Sequence, residues 1–160
     1  AGIILGTKVL VDRLRAHPLM RALRVDKLTY AALEGTLLEH HAGRAHHTVP
    51  VLRMLHASKA AVTARADALA DALRTRGWQS TVIDGESAVG GGSAPGVTVP
   101  TSLVRLAWPG WSADRLEAWL RARPTPIIAR IQDGSVVLDL RTVAEADDAE
   151  VAAALTAPTV

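Results

Sequence analysis

The sequence has 160 residues, of which 49% are hydrophobic, which suits a globular chain of one or two domains with a substantial core. Its net charge of +2 is spread along the chain, so bulk charge does not indicate a nucleic-acid-binding protein. The absence of cysteine excludes disulfides and thiolate chemistry. No apolar run reaches the roughly 18 to 20 residues that span a bilayer, and no signal-peptide pattern is evident. We therefore expect a cytoplasmic protein without a membrane partner.

The first residues, "AGIIL", predict a strand that is buried on both faces, which is typical of a mostly parallel sheet. No neighbouring strands of such a sheet are evident in the sequence. Because the chain also opens with Ala1 rather than methionine, we expect it to be part of a longer protein whose N-terminal part precedes Ala1.

Helical spacing of apolar residues dominates the next segments. A short helix over "TKVLVDRLRAH" is expected to end before Pro18, because proline disfavours helical geometry in the residue ahead of it. Asp26 is the predicted N-cap of a longer helix over "KLTYAALEGTLLEHH", and Pro50 suits the first turn of the next one. Ser58 is the predicted cap of a long amphipathic helix that Gly77 closes.

From Trp78 onward the pattern changes to short apolar runs. "WQSTVI", "TSLVRLAW", "PIIARI" and "SVVLDL" predict strands, and the tight turn "QDG" joins the last two as a hairpin. "SADRLEAWLRA" predicts a capped helix between the second and third strands, and "EADDAEVAAALTA" a closing helix. This order predicts an α+β layer, a four-stranded antiparallel sheet with helices on one face.

Two motifs that suggest ligands have simpler interpretations. The glycine loop over residues 90–96 lacks the residues of a phosphate-binding loop and does not open a helix, so we interpret it as a flexible connection between strands. The pairs His40, His41 and His46, His47 suit zinc by residue type, but their spacing matches no known zinc signature and no carboxylate or thiolate completes the set. The sequence therefore predicts no metal site.

Catalytic residues are also not evident. The three lysines are Lys8, Lys27 and Lys59, and each falls near the start of a predicted helix, whereas a Schiff-base lysine has to be desolvated. No Ser-His-Asp grouping or nucleophile elbow is present. We expect no complete catalytic apparatus within these residues.

Arg21 and Arg24 form the most informative pair. They lie three apart in "HPLMRALRVDKLT" with no acidic residue near them. In a turn or helix two such guanidinium groups can converge on a tetrahedral anion through paired hydrogen bonds. Spacing alone favours two solvated surface arginines, because such pairs are common on helix surfaces.

A resemblance covers nearly the whole chain. "AGIILG", "HPLMRALRVDKLTYAALEGTL", "TVPVLRML", "GESAVGGGSAPG" and "VLDLRTV" follow in the order and spacing that resemble the C-terminal part of bacterial selenocysteine synthases, the L-seryl-tRNA(Sec) selenium transferases. The resemblance implies α/β architecture overall and the C-terminal part of a fold-type-I enzyme dependent on pyridoxal 5'-phosphate. It further implies a transferase that converts seryl-tRNA(Sec) to selenocysteinyl-tRNA(Sec) with selenophosphate as donor.

For individual residues, the resemblance implies that Arg21 and Arg24 line the active site and bind the anionic selenium donor. Arg141 matches less well, because a small-domain arginine of this superfamily often binds a substrate carboxylate that is esterified here, so Arg141 is either an anion ligand or structural. The cofactor lysine is expected upstream of Ala1, which would leave the isolated chain inactive.

The resemblance also implies a domain organisation. Residues 1–45 would be the tail of the large catalytic domain, 46–77 a connecting helical region, and 78–160 a small C-terminal α+β domain. The intact enzyme is expected to form rings of dimers with a tRNA-binding domain before Ala1. Two other hypotheses stay open: a related enzyme with the same cofactor that does not act on tRNA, and a noncatalytic α+β interaction domain in which the arginine pair binds an acidic partner.

Overall fold

The computed structural model describes residues 2–90 and 94–158. Their contacts divide the chain into two compact units, Ala1–Arg53 and Met54–Val160. The units differ in how much apolar surface they bury. Among the described residues of the first unit, Ala45 is the one buried apolar residue, whereas the second unit has a core drawn from helices and strands.

The first unit is helical. Asp26 Oδ1 accepts a hydrogen bond from the backbone N–H of Thr29 at 2.7 Å, which confirms the predicted N-cap of the longest helix. The first helix ends before Pro18, as the proline requires. Two further helices are too short for periodicity to predict. The helices are α1 (Lys8–Ala16), α2 (Leu19–Ala22), α3 (Lys27–His41), α4 (Ala45–Thr48) and α5 (Pro50–His56), the last of which continues into the second unit.

The predicted strand over residues 1–5 is wrong for the residues that the structure describes. Residues 2–7 have no regular secondary structure, and Ile3, Ile4 and Leu5 are 63%, 65% and 90% exposed. A strand forms only where a neighbouring strand satisfies its backbone N–H and C=O groups. Within residues 2–90 and 94–158 no strand pairs with this segment.

The apolar face predicted for α3 is not buried in the first unit. Leu28, Leu37 and Leu38 are 80%, 54% and 58% exposed, and Val9 and Leu10 of α1 are also largely exposed. Side chains of this kind normally pack against another element. The first unit therefore presents an extensive apolar surface.

The second unit contains the predicted four-stranded antiparallel sheet, with the strand order β1-β2-β4-β3. Asp133 and Gly134 connect β3 to β4 with φ values of 50° and 70°, the left-handed geometry of the tightest hairpin turns. The predicted hairpin and the first, second and fourth predicted strands are thus confirmed, whereas the third forms only at the end of its predicted run, because residues 130–132 pair with the next strand and residues 126–129 do not. The strands are β1 (Gln79–Ala88), β2 (Thr98–Ala107), β3 (Arg130–Gln132) and β4 (Ser135–Asp139).

Three helices contribute to one core on one face of this sheet: α6 (Lys59–Arg74), α7 (Ala113–Arg121) and α8 (Asp148–Ala154). Val104 and Leu106 of β2 form one apolar cluster with Leu116 and Leu120 of α7 and with the buried side of α6. Val151 of α8 packs against the same cluster. The prediction of helices on one face is confirmed.

Helix α6 begins and ends where the sequence predicts. Ser58 Oγ accepts a hydrogen bond from the backbone N–H of Ala61 at 3.1 Å, and Gly77 follows the helix with φ +87°, a conformation that favours glycine. Because α6 packs on β1 and β2, it belongs to the same compact unit as the sheet. The assignment of residues 1–45, 46–77 and 78–160 to separate domains of a larger enzyme stays a prediction.

The glycine-rich connection between β1 and β2 is only partly described. The backbone N–H of Val89 donates to the carbonyl of Val97 at 3.0 Å and so extends the pairing beyond the two strands. Gly91, Gly92 and Ser93, the centre of the predicted flexible loop, lie outside the described residues. No helix in the described part of the chain is long and apolar enough to cross a membrane.

Candidate anion-binding site

The basic segment, residues 13–24, runs from the end of α1 through α2. Arg21 lies in α2, whose first turn is set by Pro18 and by the backbone N–H of Leu19, which donates to His17 Nδ1 at 3.2 Å. The helix ends at Ala22, so Arg24 lies two residues beyond it. A continuous helix therefore does not set the geometry between the two arginines.

The segment has no internal charge compensation. Residues 13–24 contain four arginines and no carboxylate. The acidic residues on either side are occupied: Asp12 forms an ion pair with Lys8, and Asp26 caps α3. The hydrogen bonds from Thr29 lower the pKa of Asp26, which keeps it an ionised cap. Neither carboxylate is therefore available to neutralise the arginines.

Arg21 and Arg24 are both exposed. Neither guanidinium forms a hydrogen bond or ion pair with any residue that the structure describes. An arginine in this state directs its five N–H donors to solvent and suits the oxygen atoms of phosphate-like anions. The pair thus has the chemistry that the sequence predicts for an anion site.

Arg141 is placed very differently. It is 4% exposed, and its guanidinium donates to three backbone carbonyls, those of Met54 at 2.9 Å, Ala57 at 2.6 Å and Pro100 at 2.7 Å. Its backbone N–H also donates to Asp139 Oδ1 at 3.1 Å. These carbonyls engage both Nη atoms, and the Nε is buried without an acceptor among the described residues. The geometry favours a structural role for Arg141 over anion binding.

The lysines do not fit covalent attachment of a cofactor. The Lys8 side chain is 88% exposed and pairs with Asp12, and the Lys59 side chain is 43% exposed with Nζ 2.8 Å from Asp84 Oδ1. Lys27 is exposed at the first position of α3. A lysine that forms a Schiff base has to be desolvated to become nucleophilic. None of these three lysine side chains is desolvated.

Comparison with known proteins gives the family. A family model described as L-seryl-tRNA selenium transferase matches residues 1–144. Proteins named L-seryl-tRNA(Sec) selenium transferase from Geobacter sulfurreducens, Geotalea uraniireducens and Desulfomicrobium baculatum are 46%, 44% and 40% identical to this chain. The matches cover 97%, 97% and 98% of this chain and 34%, 34% and 35% of those proteins.

The chain belongs to the L-seryl-tRNA selenium transferase family. It spans about a third of the length of the curated relatives it matches. The family match includes Arg21, Arg24 and Arg141 and ends before α8. The resemblance inferred from the arginine segment and the glycine loop is therefore confirmed at the level of the family.

The four histidines lie at the end of one helix and within the next. His40 and His41 end α3, and His46 and His47 lie in α4 with ring centroids 4.0 Å apart. Within the described ranges, no group of three or more His, Cys, Asp or Glu side chains could hold a metal ion.

Glu39 connects these two helices. Its carboxylate accepts from Arg44 Nη2 at 2.7 Å and from Thr48 Oγ1 at 2.8 Å. The hydrogen bonds from Arg44 and Thr48 lower the pKa of Glu39 and keep the carboxylate ionised. Among the exposed arginines of the first unit, Arg44 thus has a structural partner.

The second unit carries a surface that the sequence reasoning missed. The Trp–Arg patch consists of Trp111, Arg115, Trp119 and Arg123 along α7 and its ends. Arg115 Cζ lies 3.9 Å from the centroid of the Trp111 ring, and Arg123 Cζ lies 4.4 Å from that of Trp119. The two tryptophan rings meet edge to face with centroids 6.3 Å apart. The spacing of four residues between successive members is the sequence signal that indicates this face.

Proposed function

We propose that this chain is part of an enzyme that converts seryl-tRNA(Sec) to selenocysteinyl-tRNA(Sec) with selenophosphate as the selenium donor. The observation that carries the proposal is the match of residues 1–144 to the L-seryl-tRNA selenium transferase family. The uncompensated arginines of the basic segment support it, because the proposed donor is an anion. The alternatives without tRNA or without catalysis have no comparable support.

Arg21 and Arg24 are the proposed ligands of selenophosphate. Both guanidiniums are exposed and without a carboxylate partner among the described residues, so an anion displaces only water from them. Paired N–H donors fix the orientation of a phosphoryl group better than a single point charge does. In this role the arginines hold the donor in position against the activated serine and stabilise its negative charge.

Pyridoxal 5'-phosphate is the proposed cofactor of the intact enzyme, and when bound it supplies the electron sink for elimination and addition at the β-carbon of serine. The residues described here do not fit its attachment, because all three lysines are solvated or ion-paired. We place the cofactor lysine in a part of the enzyme outside these residues. On this basis the isolated chain is inactive in selenium transfer.

The domain assignment follows from the same proposal. Residues 1–45 are assigned to the large domain of a fold-type-I enzyme and 78–160 to its small C-terminal domain. The exposed Leu28, Leu37 and Leu38 of α3 support this assignment, because an apolar face of that kind fits burial against other parts of a larger protein. A ring of dimers is the proposed assembly of the intact enzyme.

The test replaces the arginine pair in the intact enzyme. Arg21→Ala with Arg24→Ala is expected to lower transfer of radioactive selenium from selenophosphate to seryl-tRNA by at least about a hundredfold, since charge stabilisation is lost. Absorbance of the bound cofactor should stay unchanged. Arg21→Lys with Arg24→Lys should recover only part of the activity, because lysine keeps the charge and loses the paired donors.

Arg53→Ala is the matched control, since Arg53 is exposed in the same unit and lies outside the basic segment. Its selenium transfer should equal that of the unmodified enzyme. Normal transfer by the double alanine variant would contradict the donor role. Absence of cofactor absorbance from the unmodified intact enzyme would contradict the cofactor proposal.

A further inference from the structure

All four tryptophans of the chain form one cluster. Trp78 is 3% exposed and packs edge to face against Trp108, with centroids 5.2 Å apart, and against Trp119 at 6.2 Å. Trp111 completes the cluster through Trp119. Trp108, Trp111 and Trp119 are each partly exposed, so the cluster reaches from the core to the surface.

The outer layer of this cluster is cationic. Arg115 is exposed and covers Trp111, while Arg123 is half-buried and covers Trp119. Among the described residues, neither arginine has a carboxylate partner, and the Nε of Arg123 is buried without an acceptor. Within residues 2–90 and 94–158, the Arg123 guanidinium has one hydrogen bond, a long one of 3.5 Å to Thr156 Oγ1.

Acidic groups near the patch are few. Residues 105–123 contain four arginines and two carboxylates. Glu117 is paired with Arg121, whose Nε donates to it at 2.9 Å, so Asp114 is the remaining exposed carboxylate of α7. The acidic residues of this unit are concentrated instead in residues 133–150, which contain six of them. The charge of the patch therefore complements a polyanion.

We propose that the Trp–Arg patch binds single-stranded RNA, with bases stacking on the guanidinium and indole planes and phosphates contacting Arg115 and Arg123. Alternating aromatic and guanidinium planes are the elements with which proteins bind unpaired bases, and duplex RNA does not expose its bases in this way. The inference rests on the proposed function, since a tRNA substrate offers single-stranded loops and a single-stranded 3' end.

A protein partner is the competing occupant, because tryptophan and arginine are also common at protein interfaces. RNA is favoured because neither arginine of the patch has a carboxylate partner in the part of the chain that the structure describes, and because the family acts, by its description, on a tRNA. Cation–π contact with tryptophan also pre-orders each guanidinium plane, which reduces the entropy lost when a base stacks on it.

The experiment titrates the 160-residue chain with a fluorescein-labelled oligoadenylate and, separately, with an RNA duplex of the same length. Tryptophan fluorescence reports on this cluster alone, because every tryptophan of the chain lies in it. We expect the single strand to quench this fluorescence and to bind more tightly than the duplex. No quenching, or equal affinity for the duplex, would overturn the proposal and leave a protein partner as the explanation of the patch.

Substitutions in and beside the Trp–Arg patch test whether it is the site that binds RNA. Arg115→Ala with Arg123→Ala is expected to weaken binding of the single strand by about tenfold or more. Arg121→Ala, on the same helix but paired with Glu117, should change affinity by less than about twofold. Arg115→Lys with Arg123→Lys, which retains the charge, should recover only part of the affinity. Equal losses in the double alanine variant and in Arg121→Ala would overturn the assignment to the patch.

RNA binding by the Trp–Arg patch can be tested separately from the proposed function. The RNA titration needs neither cofactor nor selenium donor, whereas selenium transfer by the intact enzyme depends on both. Normal transfer with no RNA binding by the patch would overturn the patch alone. RNA binding by the patch in an enzyme that transfers no selenium would overturn the proposed activity alone.

Discussion

Arg141 Nη1 donates to the carbonyl of Ala57 at 2.6 Å and so connects the turn that follows β4 to the segment that precedes α6. The same guanidinium binds the carbonyls of Met54 and Pro100. Three segments that are distant in sequence therefore meet at one buried side chain. The arrangement makes Arg141 part of the folded core and predicts effects on stability.

Arg141→Ala is expected to destabilise the second unit by about 2–4 kcal/mol, because it removes a buried side chain and the hydrogen bonds that this side chain donates to three backbone carbonyls. Urea unfolding followed by tryptophan fluorescence measures this unit, since the tryptophans lie at residues 78–119. Arg141→Lys should restore part of the loss. Unchanged stability together with weakened binding of an anionic substrate to the intact enzyme would instead support the anion role.

Removal of the ion pair between α6 and α8 is expected to lower the stability of the second unit. Arg65 Nε donates to Asp148 Oδ2 at 2.7 Å and Arg65 Nη2 to Oδ1 at 2.6 Å, and Nη2 also donates to the carbonyl of Val143 at 3.0 Å. Arg65→Ala should cost about 1–3 kcal/mol in the same unfolding measurement. Arg121→Ala, which removes an exposed pair on one helix, should cost less than about 0.5 kcal/mol.

The direction of the pKa shift of Arg65 predicts how the stability contribution of this ion pair depends on pH. The hydrogen bonds that Arg65 donates to the Asp148 carboxylate raise the pKa of Arg65 above the ordinary arginine value. A raised folded-state pKa contributes stability that is complete below the unfolded value and is lost only as the pH rises through the folded value. The Arg65 contribution should therefore be constant from neutral to mildly alkaline pH, which unfolding at several pH values checks.

A side chain at position 85 of β1 is expected to clash with the neighbouring strand. A Cβ at this position would overlap the side chain of the fully buried Leu103 on β2. Gly85→Ala should destabilise the second unit by about 1–3 kcal/mol through overpacking. Adding Leu103→Val should recover part of that loss. Gly35→Ala is the control: it lies in α3 with open space around it and should leave the tryptophan-detected transition unchanged.

The N-cap hydrogen bond of Asp26 should make the stability of α3 in the first unit depend on pH. Hydrogen bonds from Thr29 lower its pKa below the ordinary value of 3.8. A lowered folded-state pKa contributes stability that is present above the unfolded value and is lost as the pH falls through the folded value. The backbone amide of Thr29, followed by NMR, should therefore titrate below pH 3.8. In Asp26→Asn, which keeps a cap oxygen, this titration should disappear while α3 persists.

The sequence by itself determined most of the local structure. Asp26 and Ser58 were predicted as helix caps, and the turn through Asp133 and Gly134 as a hairpin, because these features depend on neighbours within a few residues. The charge environment of Arg21 and Arg24 was also predictable, since it follows from the absence of nearby acids in the sequence. The family could also be recognised from the sequence, because its short characteristic segments occur in the same order along the chain.

Only the tertiary structure decided the features that depend on distant partners. The strand predicted at residues 1–5 does not form in the described part, because strand formation requires a pairing partner that local sequence cannot supply. The burial of Arg141 depends on carbonyls at Met54, Ala57 and Pro100, and the link between the Trp–Arg patch and the core depends on the packing of Trp78 against Trp119 of α7. Such contacts join residues far apart in the chain, and neither hydrophobic periodicity nor local capping encodes them.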